Sequence, residues 1–196
     1  AAGGLFLFAA GASALTVEPV LIDDLSLDPG TSATRTIKLK NEGASAVKLM
    51  MQVYDVEASS DETGFPQLVD PSKESIVASW INQNSDTVVA LEPGETRQVP
   101  LFISVPKDAE PGGHYAVVSW GTADPGKAQG VGASVAGSAG INLALNVTGD
   151  VVEKGDLVSF GTSDGQSTYD KLPVTLKTRI NNGGNRHFKP EGAITI

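Results

Sequence analysis

The sequence predicts an all-β fold, an immunoglobulin-like β-sandwich followed by an incomplete second sandwich, from three observations. Apolar residues recur at every second position, as in Val99, Leu101, Ile103 and Val105 or in Ile141, Leu143, Leu145 and Val147, and side chains two apart in a strand share one face. Proline and glycine punctuate these runs at Asp28-Pro29-Gly30, Pro93-Gly94 and Pro111-Gly112-Gly113, where a preset or positive φ favours a turn. No segment carries an amphipathic helical period of useful length, and many short strands with Pro/Gly turns describe a sandwich.

Taken in order, Leu5 to Gly11 is an apolar run too short to cross a bilayer, followed by the small-x-small pattern Ala12-Ser13-Ala14. Residues 1–14 therefore read as the remnant of a secretory signal peptide from a longer reading frame, which places the protein outside the cytoplasm, secreted or at the cell surface. Residues 15–150 read as the immunoglobulin-like sandwich of about seven strands. Leu15 to Ile22 is the first strand. Thr34 to Lys40 is expected to be wet on one side, with Ile37 and Leu39 inward, and to form an antiparallel hairpin with Val47 to Asp55 around Asn41-Glu42-Gly43. Glu57 to Ser75 is a polar loop or a pair of short pieces. Ser75 to Asn82 fits either one helical turn or a short strand. Thr96 to Val105 and His114 to Trp120 are expected as a central hairpin. Thr122 to Gly140, rich in Gly, Ala, Ser and Asp, reads as a mobile loop, and Ile141 to Thr148 as the closing strand.

Residues 151–196 repeat the grammar. Val151 to Phe160 is strand-like, Val174, Leu176, Thr178 and Ile180 alternate with polar partners, and Asn181 to Asn185 is a turn. Lys40-Asn41-Glu42-Gly43 and Ile180-Asn181-Asn182-Gly183 occupy the same place in the two units, which suggests a repeated fold. This stretch is too short for a full sandwich, so the second domain is expected to be cut short, with open edges and a bare apolar face.

Composition narrows the function classes. The 196 residues carry a formal charge of −9, with no cysteine and two histidines. An acidic chain is repelled by phosphate backbones and anionic lipid heads, so neither nucleic acid nor a membrane surface is the expected partner. The lack of cysteine excludes disulfides, thiol nucleophiles and thiolate metal sites. His114 and His187 have no nucleophile or ligand spacing around them, and no catalytic residue, metal or cofactor is assigned. Asp23-Asp24, Asp61-Glu62 and Asp108 with Glu110 are oxygen donors of the kind calcium takes, but no calcium-loop pattern joins them. Trp80, Trp120, Tyr54 and Tyr115 are candidate sugar-stacking aromatics, with Trp120 favoured for the core because it shares a face with Ala116 and Val118. Asn146-Val147-Thr148 is a glycosylation sequon within a strand. Gly126 to Gly140 lacks the Lys-Ser/Thr of a phosphate cradle.

The succession of a Pro-Gly turn and strand, Val105-Pro106, Pro111-Gly112-Gly113 leading into an apolar strand, a variable loop and an Ile141-Asn142-Leu143 strand resembles the N-terminal peptidoglycan-binding domain of the WxL-interacting proteins. Gly184-Asn185-Arg186-His187 and Pro190-Glu191-Gly192 are similar to the opening of their second immunoglobulin-like domain. The resemblance implies a bacterial surface protein that is non-enzymatic and binds cell wall or a surface protein as a scaffold or adhesion module. It also implies a membrane anchor that would lie C-terminal to this sequence. A wider resemblance is to the two-domain periplasmic pilus chaperones, which pair an edge strand with a subunit and clamp its carboxylate with basic residues; Arg97, Lys38 and Lys40 are the candidates for that clamp. A chaperone-like assembly factor is thus the alternative function.

Overall fold

The computed structural model describes residues 15–59, 66–69, 76–81, 88–122 and 138–194. Its strands are β1 (Leu15–Glu18), β2 (Leu21–Leu27), β3 (Ser32–Asn41), β4 (Val47–Ala58), β5 (Pro66–Leu68), β6 (Val88–Leu91), β7 (Thr96–Ser104), β8 (Gly112–Thr122), β9 (Ala139–Val147), β10 (Gly155–Thr162) and β11 (Leu176–Asn182). The one helical turn among the described residues is a 3-10 turn, Ala78–Trp80. One sheet has the order β1-β3-β7, and the facing sheet the order β2-β9-β8-β4-β5 with β6 also on β4. This is an immunoglobulin-like sandwich. Its core is the layer where Ile37, Leu39, Leu101 and Ile103 meet Leu49, Val118, Trp120, Ile141, Leu143 and Leu145, all buried.

Alternation placed the side chains correctly, but the pairings differ from the sequence expectation in three ways. Leu15 to Ile22 is not one strand. The run is divided between Glu18 and Leu21: β1 pairs antiparallel with β3 while β2 runs parallel to β9 in the other sheet. Nor do β3 and β4 form a hairpin: β3 pairs with β1 and β7, and β4 with β5, β6 and β8. The same holds for β7 and β8, which lie in opposite sheets, so the expected central hairpin is an arch over the core. A turn signal gives a reversal of direction but not the sheet to which the chain returns. Splitting the first segment and adding the short β5 and β6 raises the count before Gly149 from about seven to nine strands. The strand β8 pairs directly with β9; the expected mobile loop, beyond Thr122 and up to position 137, lies outside the described residues.

Asn41 fixes the first arch. It is 1% exposed, and its Nδ2 donates to the carbonyls of Ser45 (2.8 Å), Leu91 (3.3 Å) and Glu92 (3.1 Å), while its Oδ1 accepts from Gly43 N–H at 3.0 Å. One side chain therefore ties the end of β3 to the loop that enters β4 and to the turn before β7.

Beyond the sandwich, β10 and β11 form a two-stranded antiparallel ribbon. It repeats the β1–β3 pair. Leu15 lies opposite Asn41 and Val17 opposite Leu39 in the first pair; Gly155 lies opposite Asn182 and Leu157 opposite Ile180 in the second. Asn182 also copies the Asn41 turn, its Oδ1 accepting from Gly184 N–H at 3.0 Å and its Nδ2 donating to Arg186 O at 2.9 Å. The structural match is thus Asn41-Glu42-Gly43 with Asn182-Gly183-Gly184, one residue later than the sequence alignment set it. The second strand starts at Leu176 rather than Val174.

Removing the Asn41 amide leaves the buried Leu91 carbonyl and the part-buried carbonyls of Ser45 and Glu92 without this donor, at a cost of about 2–3 kcal/mol. Asn41→Ala is expected to lower the urea midpoint of the sandwich accordingly. The exposed counterpart Asn182→Ala is expected to cost less than about 1 kcal/mol; equal losses would contradict the structural role given to Asn41.

Candidate binding site

The start of β8 is where the ribbon meets the sandwich. Gly112 has φ +128°, and a Cβ there would lie 2.4 Å from the Asn185 carbonyl oxygen, so only glycine fits both the backbone and the contact. Gly113 N–H donates to that carbonyl at 2.7 Å. The Asn185 side chain completes the joint: Nδ2 donates to Pro111 O (3.0 Å) and Asp150 O (3.2 Å), and Oδ1 accepts from Val152 N–H at 2.8 Å. Beside it the Tyr115 hydroxyl lies 3.1 Å from His187 Nδ1 and accepts from His187 N–H at 3.0 Å, and burial pushes the Tyr115 hydroxyl above its ordinary pKa. Lys189 Nζ reaches Asp23 on β2 at 2.6 Å. That hydrogen bond and the lysine's charge hold the Asp23 carboxyl below the usual range.

Next to this joint opens a cleft of about 640 Å³, lined among others by Asp55, Glu57, Trp80, Glu110, His114 and Tyr115. Asp55 shapes its floor. Its carboxylate accepts from Ile76 N–H (2.5 Å) and Ala78 N–H (2.7 Å), and so holds the 3-10 turn that carries Trp80. Trp80 is buried, and the His114 ring lies across it at 4.8 Å between centroids. His114 Nε2–H donates to Glu110 O at 2.8 Å. The acids Asp108 and Glu110 also line the cleft, which gives it a carboxylate-rich rim beside half-buried rings and suits it to a polar or cationic group.

The structure brings together His114, Trp80, Tyr115, Asp108 and Glu110, and separates the remaining sequence candidates. His187 belongs to the joint rather than to a catalytic group. Trp120 is 1% exposed and forms part of the core, as its strand face implied. Tyr54 donates to Gln52 Oε1 at 2.7 Å on β4. The three clamp candidates are each held by an acid beside them: Lys38 by Glu18 at 3.0 Å, Lys40 by Glu42 at 2.9 Å and Arg97 by Glu95 at 2.5 Å. Asn146 is buried and donates to Ser26 Oγ at 2.7 Å, so the sequon is closed to modification in the folded sheet. Asp24 meets Arg35 at 3.9 Å. Asp61 and Glu62, and Gly126 up to position 137, lie outside the described residues. Among the described residues no three His, Asp or Glu side chains converge on a metal position. Sequence reasoning missed Asn185 and Asn41 as organising residues, because both read as ordinary turn formers. The one available signal was Gly112-Gly113 immediately before a strand, which marks a close backbone approach.

No family model matches this chain, and no curated protein matches it. Solved structures similar to it include the class 5 fimbriae chaperone CfaA, at 10% identity and TM-score 0.47 over 88% of this chain and 68% of the other. Others are PapD-like domain 7 of human CEP192, at 14% identity and TM-score 0.42 over 76% and 96%, and a family 123 glycoside hydrolase from Clostridium perfringens, at 10% identity and TM-score 0.44 over 70% and 27%. These likenesses assign the chain to no family.

The Asp23–Lys189 contact gives the joint a pH dependence. Because the folded-state pKa of Asp23 is depressed, its contribution is present above the unfolded aspartate value and is lost as pH falls through the lower folded value. Hydrogen-exchange protection in residues 183–189, measured relative to the intrinsic rate at each pH, is expected to fall on acidification below the ordinary aspartate range, and Asp23→Asn to remove that response. Asn185→Ala should speed exchange there at every pH while leaving the thermal midpoint of the sandwich within about 2 °C.

Proposed function

We propose that the protein is a non-enzymatic, extracytoplasmic binding module that engages another protein by strand pairing along the β10–β11 ribbon. One observation carries this reading. In the sandwich, Val17 and Leu39 are 5% and 0% exposed, whereas their ribbon equivalents Leu157 and Ile180 are 66% and 39% exposed, with Phe160 beside them at 51%. Among the described residues no third strand lies beside this ribbon; its edges hold unpaired N–H and C=O groups, and pairing with an added strand is favourable. The placement outside the cytoplasm rests on the apolar leader and its small-x-small pattern. Among the described residues no helix is long and apolar enough to cross a membrane.

The cleft supports a second reading, in which a cell-wall polymer is the partner. Its aromatic and carboxylate lining suits amine-bearing glycopeptide material, and the resemblance to WxL-interacting proteins points the same way. Two measurements separate the readings. A photo-crosslinking residue at position 180 is expected to give discrete protein adducts in cell-envelope extracts, lost with Leu157→Asp. In parallel, the purified chain is expected to stay in the supernatant when mixed with peptidoglycan. Sedimentation with peptidoglycan that survives Leu157→Asp and is abolished by Glu110→Gln would replace the first reading with the second.

A further inference from the structure

The Tyr115 hydroxyl fixes the state in which the joint closes. A backbone N–H can only donate, so the hydroxyl oxygen accepts from His187 N–H at 3.0 Å. The hydroxyl hydrogen is left for His187 Nδ1, 3.1 Å away. Burial pushes the Tyr115 hydroxyl above its ordinary pKa, so that hydrogen stays in place at neutral and mildly acidic pH. Nδ1 is therefore the acceptor, and the imidazole is neutral with its proton on Nε2. Protonation turns Nδ1 into a donor facing a hydroxyl that already takes one hydrogen and must still place its own. A flip of the ring puts a carbon in the same position, so no orientation of the charged ring restores the bond.

Charge works in the same direction. Around the half-buried imidazole stand Arg186 and Lys189 on its own segment, Asp23 on β2 and Glu153 from the stretch before β10. These are already matched, Arg186 to Glu153 at 3.1 Å and Lys189 to Asp23 at 2.6 Å. An imidazolium adds a third cation with no carboxylate of its own. Asp23 feels the His187 charge, but less than that of Lys189, which it bonds directly. The Asn185 bonds that complete the joint involve amides and carbonyls alone and do not titrate. Histidine is the side chain that ordinarily changes charge between about pH 5 and about pH 8. The other histidine, His114, lies across Trp80 with its Nε2 on Glu110 O. We infer that residues 183–189 are a pH-sensitive latch, in which neutral His187 holds the ribbon to the sandwich and its protonation releases it.

The test uses the full chain and two readouts. Nitrogen NMR of the isotope-labelled imidazoles at about pH 8 is expected to show His187 with Nδ1 bare and the proton on Nε2; the opposite tautomer would overturn the inference. Amide exchange is then followed between about pH 8 and about pH 5, each rate taken relative to the intrinsic rate at that pH. Protection in residues 183–189 is expected to fall about tenfold across this interval, while residues 37–41 keep theirs. His187→Asn, which cannot titrate, is expected to remove the response. Asp23→Asn is expected to leave it in place, because the Asp23 carboxyl titrates below the usual aspartate range. Constant protection between the two pH values would overturn the latch. So would a response that survives His187→Asn, or one that disappears with His114→Asn.

Discussion

The molecule depends on covering the inner face of β3. Ile37 and Leu39 are fully buried there, held between β1 and β7 in their own sheet and pressed on the facing sheet. Full burial of each such side chain contributes about 1.5–3 kcal/mol, so this layer is where the sandwich obtains its cohesion in the absence of any disulfide. The crossing of the first segment follows from the same requirement. By pairing β1 with β3 and β2 with β9, residues 15–27 close one side of the core across both sheets. Asn41 then bonds the buried Leu91 carbonyl and the part-buried carbonyls of Ser45 and Glu92 at the rim of this layer.

The ribbon shows what the same arrangement is without its cover. Its two strands keep the register of β1 and β3, and Asn182 keeps the hydrogen bonds of the Asn41 turn. Yet its apolar face is open, and its attachment to the sandwich runs through polar groups, chiefly Asn185, Tyr115 with His187, and Lys189 with Asp23. Surface ion pairs and solvent-accessible hydrogen bonds hold orientation more than they add stability. The joint therefore holds the ribbon beside the sandwich without burying its apolar face.

Much of the fold was legible because strand periodicity depends only on neighbours along the chain. The alternation at Val99, Leu101, Ile103 and Val105 named the buried positions, and Trp120 was placed in the core by Ala116 and Val118. Pairing was not legible. Whether β3 returns to its own sheet or crosses to the other is decided by packing between residues far apart in sequence, such as Asn41 with Leu91, and no local pattern encodes it. The switch of sheets between Glu18 and Leu21 likewise divides a run that alternation reads as continuous. The ribbon itself was partly visible, since alternation up to Ile180 and the Asn-Gly turn after it repeat the pattern of β3. The joint at Asn185 was hidden, because its partners Pro111, Asp150 and Val152 become neighbours only after folding.

β11 and β3 are equivalent strands that differ in their cover. Amide hydrogen exchange of the isolated full chain under native conditions measures this most directly, because protection reports local opening free energy. Residues 37–41 are expected to exchange only through opening of the whole sandwich, and 178–182 to exchange faster by several orders of magnitude. Protection in 178–182 equal to that in 37–41, in dilute protein and with no partner present, would contradict it.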